Sequence, residues 1–168
     1  SMQAEMLFPY HVILIGFMGA GKTTVGQALA DHLGREFVDL DQALETEQGT
    51  SIAQIFAERG EGAFRQLETD IIKRYSAPPA DGDNHRIIAC GGGAVLRPEN
   101  VAALKTQGRL VFLAADVGTI WQRVGSDPER PLLKGKDGPD ALRSLWQDRQ
   151  DVYENTADLR IDTDSKDP

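Results

Sequence analysis

A chain of 168 residues, 40% hydrophobic and 26% charged, has the length and make-up of one soluble globular domain around a single core. Its 18 Lys and Arg against 26 Asp and Glu leave a formal net charge of −8. That balance disfavours nucleic acid and anionic membrane surfaces, which are held by excess positive charge. Arg outnumbers Lys 12 to 6, which suits the basic residues to bidentate recognition of phosphate and carboxylate. The one cysteine, Cys90, excludes an intrachain disulfide and fits a reducing compartment. The longest apolar run, near Val12 to Met18, is too short to span a bilayer. Residues 1–9 lack the basic start of a signal peptide, and Ser1 ahead of Met2 reads as a remnant of tag cleavage.

The predicted elements alternate between strands and helices. Residues 11–15 form a continuous apolar run closed by Gly16, as a strand buried on both faces requires. A glycine-rich turn leads into a helix from about Lys22 to Leu33, with Val25, Ala28, Leu29 and Leu33 on its apolar face. Phe37 and Val38 make a second short strand ending in Asp39-Leu40-Asp41. Ile52, Ile55 and Phe56 mark a short helix that Gly60 and Gly62 break. Phe64, Leu67, Ile71 and Ile72 mark the next, to about Tyr75. The polar stretch 76–85 reads as a loop. Residues 86–90 form a third strand, closed by Gly91-Gly92-Gly93. Pro98 opens a helix that ends near Gly108. Residues 110–113 are a fourth strand, 117–124 a helix, 139–153 another helix, and 159–161 a fifth strand. Residues 126–138, dense in Pro, Gly and charge, have a mobile-loop composition. The alternation predicts one α/β domain, a parallel sheet with helices on both faces.

The strongest motif follows the first strand. Gly16-Phe17-Met18-Gly19-Ala20-Gly21-Lys22-Thr23 fits G-x-x-x-x-G-K-[ST], with an apolar strand before it and an amphipathic helix after. The glycines let successive N–H groups point into one concavity, and the helix aims its positive end at the same place. Lys22 adds a charge for the β- and γ-phosphates, and Thr23 a hydroxyl for Mg²⁺. A chance match in a chain with 17 Gly is the bland alternative, and the flanking elements argue against it. Neither an Asn-Lys-x-Asp motif nor a second apolar run ending in Asp-Glu is present, so a small-molecule kinase fits better than a GTPase or ATPase.

Other candidates are weaker on spacing alone. Asp39 and Asp41 fall at the carboxyl end of a strand, where parallel sheets bind ligands. Asp41 would serve equally as an N-cap for residues 42–47, and Asp39 as a solvated turn carboxylate. Arg65 lies off the apolar face of its helix with Glu68 three residues on, and this spacing favours a plain surface ion pair. Gly91-Gly92-Gly93 implies close approach of a ligand or backbone, or a tight turn. Cys90 reads as a buried strand residue rather than a nucleophile. Arg123, Arg130 and Arg149 are each either solvated surface residues or sources of positive charge at a site. Arg130, in the mobile-looking segment, could close over a transferring phosphate. His11, His32 and His85 have no metal-like spacing.

Taken in order, these motifs resemble the shikimate kinase family over nearly the whole chain. The resemblance rests on the glycine-rich loop through Thr24, Phe37-Val38-Asp39-Leu40-Asp41, Ser51-Ile52-Ala53-Gln54-Ile55-Phe56 and Gly60-Glu61-Gly62-Ala63-Phe64-Arg65-Gln66-Leu67-Glu68. It continues through Gly91-Gly92-Gly93, Arg130-Pro131-Leu132-Leu133 and Arg149-Gln150-Asp151-Val152-Tyr153. It implies a three-layer fold of the nucleoside-monophosphate-kinase group, with a five-stranded parallel sheet in the order 2-3-1-4-5. It implies ATP phosphates on Gly19, Ala20, Gly21, Lys22, Thr23 and Thr24, and Mg²⁺ on Thr23 with Asp39 behind it. Asp41 would hold the reacting hydroxyl and act as base. Arg65, oriented by Glu68, and Arg149 would clamp the shikimate carboxylate, with Gly91, Gly92 and Gly93 close to the ring and Phe56 and Phe64 walling the pocket. Arg123 would stack on adenine and Arg130 would close over the phosphates.

The implied enzyme is a monomeric, cytoplasmic, Mg²⁺-dependent ATP:shikimate phosphotransferase that makes shikimate 3-phosphate for aromatic amino-acid biosynthesis, with no nucleic-acid or membrane partner. It is expected to be one domain with its core at about 10–163 and a lid at about 126–138. The helix that usually follows the last strand in the family is expected to be absent. A related kinase for gluconate or a nucleoside monophosphate, or a nucleotide-binding module without catalysis, are the alternatives.

Overall fold

The structure, a computed structural model, describes residues 2–125 and 138–163. Strands β1 (His11–Ile15), β2 (Phe37–Asp39), β3 (Ile87–Ala89), β4 (Gly108–Ala114) and β5 (Leu159–Asp162) form one sheet in the order β2-β3-β1-β4-β5. Every neighbouring pair is parallel, and helices cover both sides, as the alternation predicted. All five residues of the central β1 are buried, the physical reason its sequence reads as an unbroken apolar run. β5 lies at the edge, with all four residues exposed.

The helices are α1 (Met2–Leu7), α2 (Lys22–Leu33), α3 (Leu40–Gln48), α4 (Ile52–Ser76), α5 (Pro98–Gln107), α6 (Val117–Val124) and α7 (Gly138–Thr156), with a 3₁₀ turn at Ala94–Leu96. Helix α1 was not expected. It is tied down by Arg35, whose buried guanidinium donates to the carbonyls of Phe8 at 2.6 Å and Tyr10 at 2.8 Å and pairs with Glu5 at 2.7 Å. On α2 the buried residues are Gly26 and Ala30, while Ala28 is exposed. A Cβ on Gly26 would stand 2.2 Å from the Phe37 ring, so this face carries the smallest residues because the helix lies so close to β2. Val25, Leu29 and Leu33 pack beside it, half-buried.

Three local expectations are corrected. Asp39, not Asp41, caps α3: its Oδ1 accepts from the Gln42 N–H at 3.2 Å, and the helix starts at Leu40. Only Gly60 interrupts α4, with φ 84° and ψ 170°, while Gly62 continues the helix beyond the kink. β3 is shorter than 86–90, although the Cys90 N–H still bonds Leu14 O at 3.0 Å. The loop expected at 126–138 lies outside the described residues except for Gly138, which opens α7.

All strands run the same way, so their carboxyl ends share one rim. β1 delivers the glycine-rich loop there, β2 delivers Asp39, and β3 delivers the three glycines.

Candidate active site

A cavity of about 500 Å³ opens at this rim. One wall is the loop between β1 and α2, from Phe17 through Thr24. Gly19 and Gly21 have φ of 74° and 98°, a backbone region that residues with a Cβ rarely adopt. Lys22 lies half-buried at the start of α2 and donates from Nζ to Gly16 O at 2.6 Å and Phe17 O at 3.1 Å, which holds the ammonium across the loop. Thr23 Oγ1 donates to Asp39 Oδ2 at 3.4 Å. The other oxygen of Asp39 is occupied by its cap bond to Gln42, so helix α3 orients the carboxylate toward Thr23. Arg123, on the exposed side of α6, donates to Gly19 O at 2.6 Å and stands beside the loop rather than in the cavity wall.

The opposite wall gathers residues that are far apart in sequence: Asp41 from α3, Arg65 and Glu68 from α4, the three glycines after β3, and Arg149 from α7. The glycines are explained one by one. A Cβ on Gly91 would stand 2.7 Å from Asp41 Oδ1. One on Gly93 would stand 2.9 Å from Arg65 Nη1, and one on Gly92 would lie 3.5 Å from Arg149 Nη1. The missing side chains of Gly91 and Gly93 thus leave room for Asp41 and Arg65, while a Cβ on Gly92 would make only ordinary contact with Arg149.

Arg65 and Glu68 are not a surface pair. Arg65 Nη1 donates to Glu68 Oε1 at 3.0 Å, and the Glu68 side chain is only 5% exposed. Burial pushes the Glu68 carboxyl above its usual range, the Asp41 charge adds to this, and Arg65 and Arg97 oppose it. Phe64 lies under the Arg65 guanidinium, 5.1 Å from ring centroid to Cζ, and stacks at 4.9 Å on Phe56. Glu61 approaches from the exposed side at 3.6 Å. Cys90 lines the cavity but is buried, and burial pushes its thiol well above the usual range, so it is no nucleophile. Of the residues proposed for the site from sequence, Arg130 alone falls outside the described residues.

Sequence reasoning missed several supports. Arg97 donates to Arg65 O at 3.3 Å and to Thr69 Oγ1 at 2.9 Å; Thr69 bonds the buried Asn100 at 2.7 Å, and Asn100 holds Ala94 O at 2.9 Å. This chain ties α4 to the turn after the glycines. Thr163 Oγ1 lies 3.1 Å from Ala20 O and 3.2 Å from Ala114 O, linking the end of β5 to the loop. Tyr153 Oη donates to Gly92 O at 2.6 Å. These have no local spacing signal, because apart from the bond of Asn100 to Ala94, six residues back, every partner is tens of residues away or more.

A lysine and a threonine opening the helix that follows a glycine-rich loop, at the carboxyl rim of a parallel sheet and facing a carboxylate across one cavity, define a P-loop phosphotransferase. Comparison with known proteins narrows the class. The family model for shikimate kinase matches residues 18–168. Shikimate kinase of Geobacter sulfurreducens is 45% identical over 156 residues, covering 93% of this chain and 83% of its own. The enzyme of Symbiobacterium thermophilum is 43% identical over 158 residues, covering 93% and 88%. Among solved structures, shikimate kinase from Acinetobacter baumannii in complex with shikimate superposes with a TM-score of 0.87 at 36% identity, covering 99% of this chain and 89% of that one. The chain belongs to the shikimate kinase family, ATP-dependent kinases that act on a hydroxyl acceptor.

Proposed function

We propose that this chain transfers the γ-phosphoryl group of ATP to the 3-hydroxyl of shikimate, giving shikimate 3-phosphate and ADP. The observation that carries the reading is that one cavity joins a phosphate cradle to a carboxylate flanked by two arginines from different helices. ATP phosphates would lie on the backbone of Gly19, Ala20 and Gly21 and on Lys22, Thr23 and Thr24, where N–H groups and the positive end of α2 favour anions. Thr23 and Asp39 offer a hydroxyl and a carboxylate oxygen side by side, hard donors that suit Mg²⁺. That ion, when bound, neutralises charge on the phosphates.

Arg65 and Arg149 would grip the carboxylate of shikimate, with Glu68 fixing the first guanidinium and Gly91 to Gly93 letting the ring approach the backbone. Asp41 would accept the hydrogen of the acceptor hydroxyl. As the new O–P bond forms, the bond from the γ-phosphorus to the bridging oxygen of ADP breaks, and the hydroxyl proton passes to Asp41. Arg123 is assigned to the adenine side, and Arg130 to the charge on the transferring group. No helix among the described residues is long and apolar enough to cross a membrane. We take the enzyme as a cytoplasmic monomer, its size-exclusion mass being the check. A coupled assay of ADP release tests the reading. Release that requires both shikimate and Mg²⁺ is expected; release with gluconate but not shikimate, or nucleotide binding without turnover, overturns it.

A further inference from the structure

Near the end of α7 stands a buried polar side chain to which the reading above gives no task. Tyr153 is 0% exposed, and its ring packs on Phe112 of β4 with centroids 5.2 Å apart. Packing alone does not call for the hydroxyl, since a phenylalanine would fill the same space. A buried phenol needs a partner, and the one here belongs to the acceptor side of the cavity. Its O–H donates to Gly92 O at 2.6 Å, and the guanidinium of Arg149, one helical turn earlier, lies beside the same glycine. The direction of the bond is forced, because a carbonyl only accepts. Burial pushes the phenol above its usual range, opposed by Arg149, so it keeps the proton it donates.

The phenol thus stands between two parts of the acceptor side. The peptide between Gly92 and Gly93 is planar and trans, so anchoring its carbonyl sets the opposite direction of the Gly93 N–H. Arg149 is a long, flexible side chain whose head lies beside the phenol at the glycine turn, where a Cβ on Gly92 would lie 3.4 Å from Tyr153 Oη and 3.5 Å from Arg149 Nη1. We infer that Tyr153 is a positioning residue of the acceptor site: its hydroxyl holds Arg149 and the Gly92–Gly93 peptide in one arrangement and so sets the affinity for the anionic acceptor. The inference rests on the assignment of Arg149 and the glycine turn to shikimate.

The test is Tyr153→Phe, which keeps the ring and its packing. The KM for shikimate is expected to rise about tenfold, the scale of hydrogen bonds to a charged group, with the KM for ATP within about twofold and kcat within about threefold. A purely structural role would move both KM values and the melting temperature together, and that outcome overturns the inference, as does an unchanged KM for shikimate. The same substitution in an Arg149→Lys background separates the routes. Less than a twofold further rise is expected if Tyr153 acts through Arg149, whereas a full additional tenfold rise overturns that link. Wild-type protein run beside the variants distinguishes the two levels. If it does not turn over shikimate, both the function and this inference fall; if it does and Tyr153→Phe matches it, the inference alone falls.

Discussion

At the scale of single residues, the three glycines after β3 are the most informative feature of the cavity, because each faces a different charged group. Neither Gly91 nor Gly93 has a positive φ, so adding a methyl group strains no backbone and acts only through the space it takes. On Gly91 that methyl would meet the Asp41 carboxylate at 2.7 Å. The carboxylate sits on the first turn of α3 and would have to shift from the place the proposed mechanism gives it. Gly91→Ala is therefore expected to lower kcat by roughly tenfold or more if Asp41 is the base proposed above, since a misplaced base loses much of its worth. On Gly93 the methyl would meet the Arg65 guanidinium instead, so Gly93→Ala should raise the KM for shikimate by about tenfold with a smaller change in kcat. Steady-state kinetics of the two variants check the pair, and equal effects on both parameters in both variants would sink the assignment. The sequence makes the cost of three glycines visible but not what they make room for. Glu68 shows the same limit. A spacing of three residues reads as a surface pair, and only the packing of α4 against the cavity reveals that the carboxylate is buried.

At the scale of elements, α4 shows which signals are local and which are not. Both Gly60 and Gly62 read as helix breakers in the sequence, yet only Gly60 leaves the helix, at φ 84° and ψ 170°. Nothing lies within 4 Å of a Cβ on either residue, so substitution at each reports backbone conformation alone. Gly60→Ala is expected to destabilise by about 1–3 kcal/mol, because that backbone region is nearly closed to residues with a Cβ. Gly62→Ala is expected to stabilise by about 0.5–1 kcal/mol, since alanine loses less backbone freedom on entering a helix. Urea unfolding of the two variants measures the sign, and the same sign at both positions would show the kink to be misplaced. The kink sits between Phe56 on one arm and Arg65 on the other, so the bend sets where both meet the cavity. Other elements were plain in the sequence for physical reasons. β1 is buried on both faces and reads as unbroken apolar sequence, and Pro98 suits the first turn of α5, where its missing N–H costs nothing. The buried face of α2 was not legible, because it is made of Gly26, which lies against Phe37, and Ala30, and an apolar pattern gives little weight to small residues. Helix α1 was missed because it carries no buried residue of its own and depends on Arg35 from beyond β1.

At the scale of the whole molecule, a chain of net charge −8 concentrates Lys22, Arg65 and Arg149 in one cavity at the carboxyl rim of the sheet, which suits it to small anions and not to polyanions. The other end of the sheet is closed by polar residues whose charge state ties fold stability to pH. His11, at the start of β1, is 0% exposed. Its Nδ1 accepts from the Arg86 N–H at 2.9 Å, so the proton sits on Nε2, which donates to Ala77 O at 2.9 Å and leaves the ring neutral. Burial lowers its pKa, the bond to Ala77 opposes this, and the charges of His85, Arg86 and Arg35 lower it further. The unfolded chain would titrate near the ordinary histidine value of about 6.5. Between that value and the lower folded one, the unfolded state binds a proton that the folded state does not, so stability rises with pH across that window. The stability is fully present above about pH 6.5 and is lost as pH falls from there through the folded value, at up to about 1.4 kcal/mol per pH unit. Glu5 extends the effect to lower pH. Burial alone would raise its pKa, but hydrogen bonds from His85 and the charge of Arg35 bring it below the usual range, so its contribution is present above about 4.5 and lost as pH falls through the folded value. Acid should therefore weaken the closed end of the sheet in two stages, with His11 first and the Glu5 tether of α1 second. Urea midpoints at pH 7.5 and 5.5 isolate the first stage: wild-type protein should be less stable at pH 5.5, by at most about 1.4 kcal/mol. His11→Gln, less stable at both values because it loses ring packing, should lose much less between them, and an equal loss in the two proteins would place the pH dependence elsewhere.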